Sequence, residues 1–303
     1  RRPDLQIAVA GCIAQQEGIK IIERVPHVDY VVGPQNIHAL RNIVVSKADP
    51  VLTDENLSIT ETEFPVSRHD KIKAWVNIMY GCNNFCSYCI VPYTRGREKS
   101  RASGSIINEI KELADRGYKE ITLLGQNVNS YMSDTNFPGL LKKINEIDGI
   151  NRIRFVTSHP KDLSDELIHA LKDMEKVCEH MHLPLQSGST KVLKLMNRKY
   201  TYEDYTKKVE KLRKIIPEIS ITSDIIAGFP QETDEDHKET VKALTEIEFD
   251  GIFAFKFSPR QGTTAYNMDG QLPDKVKSER LYEIFEVQNI ITERKNKELK
   301  GTI

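Results

Sequence analysis

Tyr80-Gly81-Cys82-Asn83-Asn84-Phe85-Cys86-Ser87-Tyr88-Cys89 is the stretch on which the reading of this chain turns. Three of the five cysteines crowd into eight residues at C-x3-C-x2-C spacing, so their thiols can converge on one centre from one short loop. An odd total with three so close suits metal ligands better than disulfides and points to a reducing compartment, the cytoplasm. No fourth Cys or His stands at matching spacing. A structural zinc wants four protein ligands. A 4Fe–4S cluster on three thiolates keeps one iron open for a substrate group, which places chemistry at the cluster itself. A zinc knuckle and a ferredoxin-like electron carrier are the competing readings of the same three residues.

Outward from this loop the chain alternates strands and helices. Strand cores are expected at Trp75–Tyr80, Glu120–Leu124, Arg152–Val156, His180–Leu185, Ser220–Ile226 and Gly251–Phe257. Helices are expected after Ser103, after Ser164, after Thr201 with Asp204 as a possible capping-box partner, over Asp234–Glu248 and over Asp274–Leu299. Six strand–helix units at βαβ spacing predict an α/β fold with a parallel sheet, curled by right-handed crossovers into a partial (β/α)6 barrel. A doubly wound sheet is the competing architecture, and the pattern alone does not separate the two. In either, chemistry belongs at the carboxyl ends of the strands, and the cysteine loop directly follows the first of them.

Residues 1–48 read as a small α/β piece of their own: a strand at Ile7–Val9, a helical stretch through Ile19, Ile22 and Val25, a strand at Tyr30-Val31-Val32, and apolar residues at helical spacing through Leu40–Val44. Residues 48–67 hold five acidic and no basic residues and contain Pro50 and Pro65, so 49–73 are expected to be a linker and 74–300 the barrel. The whole chain has 303 residues, 43 Lys+Arg against 44 Asp+Glu, and no 18-residue apolar run, which excludes a membrane-spanning helix. The net charge of −1 argues against a globally basic nucleic-acid binder and leaves local patches open. Cys178 is expected to be a buried inert thiol, and His159 a structural histidine.

These motifs resemble the radical S-adenosylmethionine (SAM) superfamily. Longer stretches resemble its methylthiotransferase family: Cys82–Arg101, Thr157-Ser158-His159-Pro160, His182–Ser189, Met196–Thr201, Ser223–Pro230 and Phe257–Thr263. Leu124-Gly125-Gln126-Asn127-Val128-Asn129-Ser130-Tyr131 resembles the MiaB-type branch, which adds a methylthio group to carbon 2 of isopentenyladenosine at position 37 of tRNA. The resemblance implies that Cys82, Cys86 and Cys89 hold the catalytic 4Fe–4S cluster. Its free iron binds SAM, and one electron cleaves SAM to a 5′-deoxyadenosyl radical. Tyr88 matches the aromatic position near the adenine. Gln126, Asn127, Gln186, Ser187, Arg198 and Gly228 are candidate SAM or substrate contacts, each with an ordinary loop role as its rival. Arg95, Arg97, Lys99 and Arg101 recur at every second residue and are candidate RNA contacts if extended. The run Lys207–Lys214 reads as an exposed helix face.

The resemblance also implies a second 4Fe–4S cluster, of which Cys12 matches the third ligand, the other two falling before Arg1. It further implies a C-terminal RNA-binding β-barrel domain beyond Ile303, so the chain is expected to be the core of a longer protein. Implied partners are a tRNA substrate, an electron donor such as flavodoxin or ferredoxin and a sulfur donor, with the enzyme a cytoplasmic monomer. Two alternatives stand beside this. One is a sister methylthiotransferase acting on threonylcarbamoyladenosine of tRNA or on a ribosomal-protein aspartate. The other is a non-catalytic iron–sulfur electron carrier or RNA-binding module.

Overall fold

The computed structural model of the chain describes residues 2, 5–46, 49–56, 58–61, 68 and 70–301. Its first unit runs through β1 (Ala8–Ala10), α1 (Cys12–Glu17), α2 (Lys20–Arg24), β2 (Tyr30–Val32), α3 (Leu40–Ser46) and β3 (Val51–Leu52). The three strands are parallel in the order β1–β2–β3. β2 is wholly apolar because it is covered on both faces, as central parallel strands are. Val31 packs with Ala14 and Val28, while Tyr30 and Val32 pack with Ile43.

The expected linker over 49–73 is corrected in part. Val51 and Leu52 pair with Val31 and Val32 and complete the small sheet. Ile59 is buried. A two-residue strand has no readable periodicity, and its hydrogen bonds depend on β2, twenty residues upstream. Leu57, residues 62–67 and His69 of that stretch lie outside the described residues.

The second unit continues through β4 (Lys73–Asn77), β5 (Met79–Tyr80), α4 (Val91–Thr94), β6 (Lys99–Ser100), α5 (Ser103–Asp115), β7 (Glu120–Leu124), α6 (Phe137–Asn145), β8 (Arg152–Phe155) and α7 (Asp165–Asp173). It is completed by β9 (His180–His182), α8 (Thr190–Leu195), α9 (Tyr202–Ile215), β10 (Ser220–Ala227), α10 (Asp234–Ile247), β11 (Gly251–Lys256) and α11 (Asp274–Glu298). β4, β7 and β8 pair in parallel, as do β9, β10 and β11. A parallel bridge between Ile153 and Val177 joins the two halves. The strands therefore follow one another around the sheet in chain order. A doubly wound sheet needs a reversal of that order, and none occurs, so the architecture is the partial six-stranded barrel, with β4 and β11 as its edges among the described residues.

Alternation along each strand separates two environments. Ile121 and Leu123, Ile153 and Phe155, and Ile221 and Ile225 are buried with Ile106, Ile110, Leu140, Ile144 and their neighbours from the helices. Burial of each such side chain is worth about 1.5–3 kcal/mol. The other face carries polar residues in contact across strands, with Lys73, Arg152 and Arg154 around Glu120, and His182 beside Asp224. The expected caps form: Ser164 accepts from Leu167 N at 3.1 Å, and Thr201 and Asp204 make a reciprocal capping box. α6, α8 and the antiparallel β5–β6 pair were not foreseen. The first two are short, and β5 and β6 are two residues each.

Candidate active site

The cysteine loop is the excursion between β5 and β6, whose antiparallel pairing (Met79 with Ser100, Tyr80 with Lys99) closes it at the base. Gly81 opens the loop at φ 73°, and a Cβ there would collide with the carbonyl of Arg97. Only glycine combines that backbone with so close a crossing. Its amide donates to Gln126 Oε1 at 2.6 Å, which ties the loop to the end of β7. Further along, Ser87 N donates to the Met196 carbonyl at 3.0 Å and Ser87 Oγ to that of Leu195 at 2.8 Å. Asn197 Nδ2 donates to the Phe85 carbonyl at 2.9 Å, and Ala265 N to that of Ser87 at 2.7 Å. Three distant parts of the chain thus hold the loop at the carboxyl ends of the barrel strands.

Cys82 and Cys86 are buried and Cys89 is half-buried. Burial pushes the Cys82 thiol up and the Cys89 thiol up to about 11, and the charge of Cys86 raises both further. Cys82 and Cys86 are thus near enough to Cys89 for their charges to oppose its ionisation. Binding of a cation would relieve that opposition and release protons. Among the described residues no three His, Cys, Asp or Glu side chains form a single-ion site. The donor set, three thiols on one anchored loop, fits a multi-iron cluster.

Tyr88 and Gln186 line an open cleft of about 730 Å³ together with Asp224, Ile226, Phe257 and Lys277. The other candidate contacts are distributed differently. Gln126 spends its carbonyl oxygen on Gly81. Asn127 donates to Asp162 Oδ2 at 2.8 Å, but its own Oδ1 is buried without a partner, an acceptor left over for a ligand donor. Ser187 is fully buried and its hydroxyl meets Thr240 Oγ1 at 3.2 Å, so it belongs to the packing of the segment between β9 and α8 on α10 and not to the cleft. Gly228 has φ 74°, and what approaches its Cα face is the stem of Lys277, not a ligand.

Arg198, a candidate SAM or substrate contact, is instead an internal clamp on the chain's own groups. It is 4% exposed. Nε donates to Tyr200 Oη at 2.8 Å, Nη1 to Cys86 Sγ at 3.4 Å and Tyr88 Oη at 3.3 Å, and Nη2 to the Pro184 carbonyl at 2.9 Å. The single hydroxyl proton of Tyr200 is shared between the Pro184 and Leu185 carbonyls.

The basic quartet is not one face. Arg95 caps α4, and Lys99 pairs with Glu55 at 2.8 Å. Arg101 pairs with Glu109 at 2.8 Å. Arg97 alone of the four is exposed, stacked 4.3 Å over the Phe85 ring. Gly96 at φ 76° breaks the extended run that the spacing suggested. Cys12 begins α1 and is half-buried. That helix reaches the barrel mouth, where Gln16 donates to the Gln261 carbonyl at 3.1 Å. Cys178 is half-buried rather than buried, just ahead of β9, and burial pushes its thiol up. His159 is buried, as expected of a structural residue. Asn197, Tyr200, Asp224 and Lys277 were missed. Asp224 had a signal, as the one acid in the strand β10, on its less buried face; the others depend on contacts remote in sequence.

A family profile described as the Radical SAM superfamily matches residues 76–244. A tRNA-2-methylthio-N(6)-dimethylallyladenosine synthase of Thermodesulfovibrio yellowstonii is 58% identical over 305 residues, covering 100% of this chain and 71% of that protein. The protein of the same description from Thermoanaerobacter sp. is 52% identical, covering 100% of this chain and 66% of that one. Among solved structures, the cobalamin-dependent SAM radical enzyme OxsB superposes with a TM-score of 0.62 at 13% identity, over 95% of this chain and 43% of that one. The radical SAM methyltransferase TsrM from Kitasatospora setae gives 0.55 at 20% identity, over 63% of this chain and 38% of that one. At such identities the superpositions speak for the fold.

Proposed function

This chain belongs to the radical SAM superfamily and, within it, to the tRNA-2-methylthio-N(6)-dimethylallyladenosine synthase family, and on that premise we propose that it adds a methylthio group to carbon 2 of isopentenyladenosine at position 37 of tRNA. Membership implies a 4Fe–4S cluster and SAM as cofactors. The observation that carries the reading is the anchored loop of Cys82, Cys86 and Cys89 at the carboxyl ends of the strands, in a chain 58% identical to a relative of that description.

Cys82, Cys86 and Cys89 would hold the cluster, which when bound supplies the electron that cleaves SAM. The chain's own residues do the positioning. Gln126 fixes Gly81 and hence the entry of the loop. Asn127 offers its free Oδ1 to a donor such as an ammonium group. Tyr88 and Gln186 border the cleft that would take an adenine, and Asp224 offers a carboxylate to hydroxyl donors. Arg97 presents an exposed cation to the RNA backbone.

Cys12 is a ligand of a second cluster in this reading, and the sulfur donor and a flavodoxin- or ferredoxin-like reductant complete the reaction in the cytoplasm. No helix among the described residues is long and apolar enough to cross a membrane. Anaerobic reconstitution with iron and sulfide should yield reductant-dependent 5′-deoxyadenosine, and Cys86→Ala should reduce it to background. Mass spectrometry of tRNA nucleosides from a deletion strain should show loss of the methylthio-isopentenyl nucleoside. Its persistence would defeat the assignment.

A further inference from the structure

Arg198 is the one cation in contact with a cysteine of the loop among the contacts described above, and its position follows from unusual backbone. Asn197 and Lys199, on either side of it, both have left-handed φ, 59° and 63°. For residues other than glycine that conformation is uncommon and is held by the surroundings. Here the turn after α8 bends so that Asn197 holds the Phe85 carbonyl while Arg198 runs inward beneath the loop.

The guanidinium has five N–H groups. Two are spent on Tyr200 and the Pro184 carbonyl and one on Tyr88, which leaves the contact with Cys86 Sγ at 3.4 Å as a directed N–H···S hydrogen bond. Tyr200 in turn is pinned by two backbone carbonyls, at 3.0 and 3.1 Å. The orientation of the fork is thus set by groups that do not belong to the cysteine loop. Among the described residues Arg198 has no carboxylate partner, so none of them neutralises its positive charge locally. A buried cation without a carboxylate is costly, and it is best tolerated where negative charge comes to reside.

We propose that Arg198 is a positioning residue for the iron–sulfur cluster: its buried guanidinium donates a hydrogen bond to the Cys86 sulfur and makes the cluster easier to reduce. The inference rests on the cluster reading above. Hydrogen bonds to ligand sulfurs and nearby charge set the potentials of such clusters. Reduction adds one negative charge to the cluster, and a fixed cation at the sulfur stabilises the reduced form more than the oxidised one. Tyr88, which shares Nη1 with Cys86, couples the cleft wall to the same cation.

The test is a redox titration of the reconstituted protein followed by electron paramagnetic resonance, with iron content measured in parallel. Arg198→Met should raise the ratio of oxidised to reduced cluster at fixed poise by about tenfold or more, equivalent to 59 mV for one electron. Arg198→Lys, which keeps the charge, should shift it less. A cluster loaded to wild-type iron content whose titration is unchanged in Arg198→Met would overturn the proposal and leave Arg198 a loop strut. Should that variant fail to load, wild-type protein carrying guanidino-15N arginine decides. Pulsed resonance of its reduced cluster should show a weak 15N coupling that is lost in Arg198→Lys, and absence of the coupling in wild type rules the hydrogen bond out. Failure of the cluster reading is separately visible, since wild-type protein would then bind no iron–sulfur cluster and cleave no SAM.

Discussion

His159 shows at the scale of one residue how burial, and not identity, decides chemistry. Its ring packs edge-on against Tyr200 at 5.7 Å, Nδ1 accepts from Lys161 N at 3.2 Å, and Nε2 is buried without a partner. Burial, assisted by the Arg198 charge, pushes its pKa down to about 2. The unfolded chain protonates this histidine near pH 6.5. Neutral burial therefore adds stability above that value, and the contribution is lost progressively as pH falls from about 6.5 towards 2, by up to about 1.4 kcal/mol per pH unit. Urea midpoints at pH 7, 6 and 5 should fall less steeply for His159→Asn than for wild type; parallel slopes would remove His159 from the acid limb. Among single residues, the three cysteines were legible because spacing alone carries their meaning. Arg198 was legible as a notable residue but not in its role, since its partners Cys86 and Pro184 are 112 and 14 positions away.

The element that matters most is the β5–β6 hairpin. Two residues per strand are too few to be read from alternation, yet this pairing turns a cysteine-rich segment into a closed loop at the barrel mouth. Gly81 is its weak point. Gly81→Ala would force an L-residue into left-handed backbone and drive a methyl group into the Arg97 carbonyl. The expected outcome is a large loss of bound iron after reconstitution, with the thermal unfolding of the barrel displaced by only a few degrees. Full iron loading in that variant would show that the loop closes without the crossing. By contrast, the long helices were readable from caps and apolar spacing. Thr201 and Asp204 already signal the start of α9 in sequence, and both halves of the capping box form. β3 was misread as linker because nothing local marks a strand that exists only by pairing with β2.

At the scale of the whole molecule, two sets of contacts make one body of the parts. The small N-terminal sheet is joined to the cysteine-loop segment, where Gln35 Nε2 donates to the Arg95 carbonyl at 2.8 Å and Glu55 pairs with Lys99. The last helix is locked to the barrel by Arg280, whose Nη1 meets Glu232 Oε1 and whose Nη2 meets Asp234 Oδ1, each at 2.7 Å. Glu232 also accepts from Gly228 N, so this pair holds the turn at the end of β10. Breaking a buried pair leaves one charge uncompensated, at about 3–5 kcal/mol. Arg280→Met should lower stability by roughly that amount in denaturant unfolding, and adding Glu232→Gln should recover part of it. No recovery would indicate that the packing of α11, not the charge pair, carries the effect.

By itself the sequence determined the element types, the parallel α/β class, the cysteine triad and the family, because these reside in local periodicity, spacing and motif. Tertiary structure alone decided that the strands run in chain order around a partial barrel, that residues 51–52 complete the first sheet, and which polar side chains serve the fold and which face the cleft. The physical reason is that a side chain's role follows from its partners. Lys99, Arg101, Ser187 and Arg198 look available in sequence, but Glu55, Glu109, Thr240 and the carbonyl of Pro184 reach them only once the chain has folded.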